Sequence, residues 1–146
     1  MRVFLVVATL FLSATNASAK VSIGGLLSTP EVAGAYVSIW PHDGLSIDLR
    51  ATLATVDGGI TGHIPLSGEI SGGRHDILLT GMGGFVHDGV AVHSWYSSRG
   101  PRILGALGYG YQSAWDFRLL GGVTAYDSSS GWATAPTFIA MLGHAI

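Results

Sequence analysis

Six charged or ionisable side chains stand at polar positions of alternating segments, where a β-strand would turn them towards one face. They are Asp48, Arg50, His63, Glu69, Asp116 and Arg118. Carboxylates and guanidinium groups removed together from water must pair, because an unpaired ion in an apolar interior is strongly disfavoured. The set therefore predicts a buried salt-bridge network. A path for protons or small solutes is the alternative.

The histidines offer a second route to chemistry, metal binding, but their spacing does not favour it. They stand at His42, His63, His75, His87, His93 and His144. No two of them stand at positions i and i+2, the spacing that would place both imidazoles on one face of a strand. We therefore predict neither a metal site nor a cofactor. The absence of cysteine excludes thiol chemistry and cysteine-ligated metals.

The element that must position the first two charged residues is the segment 45–56, LSIDLRATLATV. Its apolar side chains alternate with Ser46, Asp48, Arg50 and Thr52, which is the period of a β-strand with two different faces. The rest of the chain is too poor in charge to cover a water-facing exterior. We therefore interpret the pattern as inverted, with the apolar face towards lipid and the charged face towards the lumen of a small barrel.

Composition supports the inverted interpretation. Charged residues make up 11% of the chain, against roughly 25% in ordinary soluble domains, and the mean hydropathy is +0.45. Beyond the N-terminus no apolar run is long enough for a membrane helix, so a closed β-barrel is the remaining way to satisfy the backbone in lipid. With 7 basic and 9 acidic residues, the chain carries no basic surface for nucleic acid.

The first 19 residues have the pattern of an export signal. Arg2 is followed by an apolar run at 3–12 and by the small residues Ala17, Ser18 and Ala19. The run is too short to cross a bilayer as a helix, so we expect cleavage after Ala19. Residues 1–19 are then a signal peptide and residues 20–146 one barrel domain, located in a Gram-negative outer membrane.

Alternation and turn residues divide that domain into eight strands, the even number that such barrels require. The predicted strands are 20–29, 32–40, 45–56, 60–70, 75–87, 101–112, 115–126 and 137–146. Short turns at 41–44, 71–74 and 113–114 follow strands two, four and six, and an Asp57-Gly58-Gly59 turn follows strand three. Long loops at 88–100 and 127–136 follow strands five and seven. The fold class is an all-β, antiparallel, up-and-down transmembrane barrel.

Three details of these strands are expectations of their own. Pro65 cannot donate to a ladder, so we expect a bulge there. The facing of strand five stays open because both of its parities are apolar or glycine. Aromatic residues near strand ends predict interfacial girdles. These residues are Trp40, Tyr109, Tyr111 and Trp115 on the periplasmic side, and Phe85, Tyr126 and Trp132 on the outer side.

The order of segments resembles that of the lipid A 3-O-deacylase (PagL-type) family of outer-membrane barrels. The landmarks are VSIGG at 21–25, FVHDG at 85–89, GALGYGYQ at 105–112 and the closing TFIAMLGHAI. The resemblance implies a His-x-Ser pair on the seventh strand and a later glutamate. The corresponding positions here are Ala125 and Asp127, and no glutamate follows Glu69. The resemblance therefore favours the fold and argues against the activity.

We therefore predict a non-catalytic outer-membrane protein, structural or adhesive through its extracellular loops. The expected partners are outer-membrane lipid and lipopolysaccharide, and the expected state is a monomer. One alternative is a divergent acyl hydrolase acting on lipid A, which needs a Ser-His pair assembled by folding. Another is a soluble, lipocalin-like barrel that binds a ligand inside and presents a polar exterior.

Overall fold

The part of the chain that the structure describes forms eight β-strands. The computed structural model describes residues 20–29, 32–70, 72–87, 100–128 and 130–146. The strands are Lys20–Ser28 (β1), Val32–His42 (β2), Leu45–Thr52 (β3), Thr55–Ile70 (β4), Gly73–Val86 (β5), Gly100–Gln112 (β6), Trp115–Ser128 (β7) and Gly131–Ala145 (β8). The predicted signal peptide, residues 1–19, lies outside the described residues.

Each strand pairs antiparallel with its neighbours in sequence, and β8 closes the barrel on β1. Partner residues followed from Asp116 around the wall lead back to β7 at Tyr126, ten residues further along. A stagger of this kind accompanies strands tilted by roughly 35–45° to the barrel axis. The predicted eight-stranded antiparallel barrel is thus confirmed, and β3 and β7 lie on opposite sides of its lumen.

The two ends of the barrel differ in their connections. One end carries the turns that follow β2, β4 and β6, together with Lys20 and Ile146, and is called the short-turn end. The other, the loop end, carries the connection 87–99 between β5 and β6 and the turns at 29–31, 53–54 and 129–130. By the strand bounds, the connections at 29–31, 53–54 and 129–130 are two or three residues long, and the connection 87–99 is thirteen.

Alternation sorts the side chains between lumen and outer wall. On β3, Ser46, Asp48 and Arg50 are buried, whereas their neighbours on both sides are partly or fully exposed, as predicted. Burial also settles the facing of β5, which the sequence leaves open. Asp76, Thr80 and most other even-numbered residues of β5 are buried, so their side chains point into the lumen. Large apolar side chains cover the outside along most strands, including Ile60, Leu107 and Phe138.

The predicted turn at 57–59 is wrong, because β3 ends at Thr52 and β4 already begins at Thr55. The Thr52 hydroxyl accepts hydrogen bonds from the backbone N–H of Ala54 at 3.2 Å and of Thr55 at 2.9 Å, which closes the turn at 53–54. Asp57 therefore lies within β4 and points into the lumen, where it is buried. The Asp-Gly pair that signals a hairpin locally is here part of a strand.

The predicted long loop at 127–136 is also wrong. β7 continues to Ser128, and β8 begins at Gly131, whose φ of 111° suits a tight turn. The segment consists mainly of Ala, Ser and Thr, whose weak contrast in polarity hides the alternation. The segment 88–99, which makes up nearly all of the other predicted long loop, lies outside the described residues.

The bulge expected at Pro65 is confirmed by a register shift between β4 and β5 from Pro65 to Ser67. Aromatic girdles require outward-facing side chains, and only some of the predicted members have them. Tyr109, Trp115, Phe85 and Trp132 are exposed on the outside, and Tyr111 is half-buried. Two other members are wrong, because Trp40 and Tyr126 are buried in the lumen. Trp40 stands two positions after the inward Ser38, and Tyr126 stands two positions after the inward Thr124, so alternation places both side chains inside the barrel.

Candidate functional site

The lumen near the short-turn end is filled by hydrogen bonds that converge on Arg118. Its guanidinium donates to Asp116 at 3.0 Å and 2.8 Å on its own strand, β7. It also crosses the lumen to Asp48 on β3, at 3.0 Å, and to the Ser38 hydroxyl on β2, at 2.8 Å. Arg118 and both carboxylates are almost completely buried. Arg118 therefore joins opposite walls of the barrel.

Asp48 is the most heavily bonded carboxylate of this network. Besides Arg118 it accepts hydrogen bonds from the hydroxyls of Ser38 at 2.5 Å, Ser46 at 3.1 Å and Thr61 at 2.5 Å. Thr61 is joined in turn to Thr80 at 2.9 Å. Buried carboxylates are tolerated when their lone pairs are satisfied in this way. The arrangement fits a rigid plug.

A second charged cluster lies nearer the loop end. Asp57 on β4 accepts two hydrogen bonds from Arg102 on β6, at 2.7 Å and 2.8 Å, and one from Arg50 on β3 at 3.2 Å. The Thr55 hydroxyl lies 3.3 Å from the same carboxylate. From the sequence, His63 or Glu69 on the next strand is the nearest candidate to pair with Arg50. His63 belongs to the short-turn network instead, and the side chain of Glu69 lies outside the described residues.

Apolar side chains lie between the two charged clusters on the β7–β8 side of the lumen. On β7, Leu120 follows Arg118 on the inward face, and on β8 the inward residues at the same depth are Met141 and Ile139. The full cluster comprises Leu26, Tyr36, Leu78, Met82, Leu104, Ala106, Leu120, Ile139 and Met141. An eight-stranded barrel is only wide enough for its own side chains to fill it. On β3, by contrast, Asp48 of one cluster and Arg50 of the other are successive inward residues, so the apolar side chains fill one side of the lumen between the clusters and not its whole cross-section.

Folding does bring a serine, a histidine and a carboxylate together. The Ser46 hydroxyl lies 3.0 Å from Nε2 of His63, and Nδ1 of His63 lies 3.5 Å from Asp76. This is the order of groups in a serine-hydrolase triad. Sequence reasoning missed it because Ser46, His63 and Asp76 lie on three different strands, and the facing of β5 was unknown.

Three features of the surroundings argue against ester hydrolysis at Ser46. All three side chains are buried, so a substrate carbonyl has no described route to the hydroxyl. Asp48 oxygens lie 3.1 Å and 3.3 Å from Ser46 Oγ, where negative charge would oppose an oxyanion. The Trp40 ring also covers His63, with 4.0 Å between ring centres. The three residues therefore fit a structural role in the lumen better than a catalytic one.

Trp40 occupies the lumen at the short-turn end, where its ring lies near two cations. The guanidinium carbon of Arg118 lies 5.1 Å from the ring centre, on the side of the buried network. The ammonium of Lys20, at the start of β1, lies 5.9 Å from it. A cation within about 6 Å of an indole face is attracted by the ring quadrupole. Trp40 therefore covers the charge network at the mouth of the barrel.

Five of the six predicted lumen residues are placed inside the barrel. They are Asp48, Arg50, His63, Asp116 and Arg118. The expected same-face arrangement of Asp48 and Arg50 is observed, although the two belong to different clusters. Sequence reasoning missed Asp57, Asp76 and Arg102. It also missed Gln112 on β6, whose amide nitrogen lies 3.3 Å from Nδ1 of His63 and 3.5 Å from Asp76. Arg102 could have been found, because it shares its parity with the inward residue Ala106.

The remaining histidines form no metal site within the described part of the chain. His75 faces outwards, hydrogen-bonds the Tyr109 hydroxyl and lies 5.0 Å from the Tyr111 ring. His144 packs edge-on against Trp115 at the short-turn end, with 5.2 Å between ring centres. Ser128 is thirteen residues further along β7 than Trp115, so His144 cannot serve a hydroxyl at the loop end.

The shared use of Asp57 predicts an order of stabilities. Arg50→Met should cost less free energy of unfolding than Asp57→Asn, because Arg102 still holds the carboxylate when Arg50 is removed. Losing the acid instead removes an anion that two buried cations share. Urea titration of the refolded variants, followed by gel mobility, measures both. Equal losses, or a larger loss for Arg50→Met, would contradict the arrangement.

Comparisons with known proteins identify no relative of this chain. No family model, no curated protein and no solved structure matches it. The resemblance in layout to the lipid A deacylases therefore stays a prediction, and function has to be inferred from the barrel itself.

Proposed function

We propose that this chain is a small outer-membrane barrel, exported by residues 1–19, with a structural or adhesive role and no catalytic activity. One observation carries the proposal. Among the described residues, every charged side chain lies in the lumen or at a strand end or turn, and none lies on the outer wall. The wall carries exposed aliphatic and aromatic side chains instead, which is the distribution of a barrel with lipid outside.

The dimensions of the wall support a membrane location. On β8, the outward residues Trp132 and His144 are twelve positions apart. At about 3.3 Å per residue and a tilt of about 40°, this separation corresponds to roughly 30 Å along the axis, near the roughly 25 Å apolar band of such barrels. The outward residues between them include Phe138 and Leu142. Within the described residues, no helix is long and apolar enough to span a membrane.

The filled lumen supports a structural role rather than transport. One salt-bridge cluster occupies the short-turn half, a second lies nearer the loop end, and apolar side chains fill the β7–β8 side between them. An adhesive role would depend on the loop end, where the connection 87–99 is by far the longest. The soluble-barrel alternative requires the opposite distribution, with an apolar interior and a charged exterior.

Membrane fractionation combined with heat-modifiable gel mobility tests the proposal. We expect the protein in the outer-membrane fraction of an expressing Gram-negative cell, migrating differently before and after boiling, and no conductance in planar bilayers. Recovery in the soluble periplasmic fraction would overturn the membrane location. Single-channel currents from the intact protein would overturn the structural role.

Ester hydrolysis is a second candidate only because of the Ser46–His63–Asp76 arrangement. We expect lipopolysaccharide to keep all its acyl chains when incubated with the refolded protein, and a fluorophosphonate probe to leave Ser46 unlabelled. Mass spectrometry reads both results. Loss of one hydroxyacyl chain that Ser46→Ala abolishes would establish a hydrolase in the lumen. Loss abolished by His87→Ala or His93→Ala would move the site to the connection after β5.

A further inference from the structure

β8 extends past its neighbour β1 at the loop end of the barrel. The register between these strands ends at Ser28 opposite Ile139, and Thr29 adds two further hydrogen bonds, both to the backbone of Phe138. Residues 131–137 also belong to β8, but they have no partner strand on this side within the described chain. An unpaired edge of this kind is a template to which another strand can be added.

β4 extends in the same way past β3 at the short-turn end. The register between these strands ends at Leu45 opposite Gly62, and the backbone N–H of His63 donates to the Gly44 carbonyl at 2.9 Å. Residues 64–70 remain in β4 and pair with β5, but no described strand lies on their other side. The barrel is therefore closed around its middle and has a free edge at each end.

A proline stands at the first open position of each free edge. In an antiparallel strand both backbone groups of one residue point to the same side, and alternate residues point to the same neighbour. Phe138 points towards β1 with both groups, so Pro136 points to the open side of β8. His63 points towards β3, so Pro65 points to the open side of β4. Because proline has no N–H, neither residue removes a hydrogen bond from the barrel itself.

These two prolines differ in position from the other prolines of the described strands. Pro41 and Pro101 lie next to a strand end, whereas Pro65 and Pro136 each have at least five strand residues on either side. Proline inside a paired strand removes a ladder hydrogen bond and is confined to edges and bulges. At both interior positions, the missing donor therefore affects only a strand that would be added from outside.

We propose that Pro65 and Pro136 prevent a second copy of this chain from adding a strand to either free edge, which keeps the barrel monomeric. A strand added opposite Pro136 finds no donor for its carbonyl, and the pyrrolidine ring occupies the place of the missing hydrogen. By alternation, Trp132 and Thr134 present both of their backbone groups on the same side of β8, so the proline interrupts a row of groups that could otherwise pair. The proposal follows from strand pairing and holds whether the outer wall faces lipid or water.

Two substitutions that restore the N–H test the β8 edge, Pro136→Val and Pro136→Thr. The mass of the intact, refolded protein in zwitterionic micelles is measured by light scattering. We expect both variants to form a dimer, with about twice the protein mass of the unsubstituted chain, and Pro65→Val to do the same through the β4 edge. Thr134→Val is the matched control. It places the same valine on the same exposed edge without a new donor and should leave the mass unchanged.

A single cysteine locates the contact. The chain contains no cysteine, so Thr134→Cys can form a disulfide only between two copies. When Trp132 of one copy lies opposite position 136 of the other, the two copies of residue 134 face each other. The crosslinked fraction should therefore be several-fold larger when Pro136→Val is combined with Thr134→Cys than in Thr134→Cys alone.

Three results would overturn the proposal. They are an unchanged mass in all the proline variants, a dimer that Thr134→Val forms as well, and crosslinking that does not depend on Pro136→Val. The prolines would then be tolerated at open positions without keeping copies apart. Heat-modifiable gel mobility of each variant shows that the barrel is folded, and the two replacements at position 136 keep the test independent of either side chain.

Discussion

Replacement of Arg118 by methionine is expected to lower the free energy of unfolding by about 3–5 kcal/mol, because it leaves buried carboxylates without their cation. Arg118 is the cation that holds both Asp48 and Asp116, at 3.0 Å and 2.8 Å. Methionine keeps much of the side-chain volume, so the loss reports on charge rather than on a cavity. Urea unfolding of the protein in lipid vesicles, followed by gel mobility, measures the difference.

A triple variant distinguishes the effect of unpaired buried charge from a general intolerance of position 118 to substitution. In the triple variant Arg118→Met, Asp48→Asn, Asp116→Asn, no charge is left unpaired, so most of the lost stability should return. Arg50→Met is the matched control, because Asp57 keeps Arg102. Strictly additive losses in the triple variant, or a loss for Arg50→Met as large as for Arg118→Met, would show that the cross-lumen pairing does not stabilise the barrel.

The architecture was accessible from sequence because alternation in a strand depends only on which face meets which environment. The inward position of Asp48 and Arg50 follows from this period alone, and the count of eight strands follows from the period together with the turn residues. Where the two faces of a strand differ little in polarity, alternation does not reveal the strand. Residues 127–136 are an example, because their small side chains look alike on both faces although they belong to β7 and β8.

Local turn signals were the second source of error. Asp57-Gly58 is a strong hairpin signal by itself, yet Asp57 is drawn into the lumen by two arginines on different strands. A tertiary charge pair therefore outweighs a local preference here. The turn forms instead at Thr52, whose hydroxyl binds two backbone N–H groups.

The partners within the lumen could not be predicted at all, because they depend on register and closure. Arg118 and Asp48 are seventy residues apart in sequence and on opposite walls. No local pattern encodes that contact. For the same reason, the contacts among Ser46, His63 and Asp76 could not be predicted. By contrast, the burial of Trp40 and Tyr126 followed from parity, and the expectation of aromatic girdles wrongly took precedence over it.

The outer wall offers the test with the second largest expected effect, the replacement of Leu49 by arginine. Leu49 lies midway along β3, between its neighbours Val37 and Gly58, with its side chain on the outer face. A cation placed at mid-depth on a lipid-facing wall costs about 2–4 kcal/mol of folding free energy, and about 0–1 kcal/mol near the interfaces. Leu49→Arg should therefore be strongly destabilising in bilayers.

Two controls make that measurement specific to depth and charge. Leu49→Met keeps an apolar side chain at the same place and should change stability little. Ala114→Arg introduces the same charge into the exposed turn between β6 and β7, where the penalty should be small. Folding free energies of all three variants are compared in vesicles of one lipid composition. If Leu49→Arg and Ala114→Arg cost the same, the wall around Leu49 does not face lipid, and the membrane assignment of this barrel is wrong.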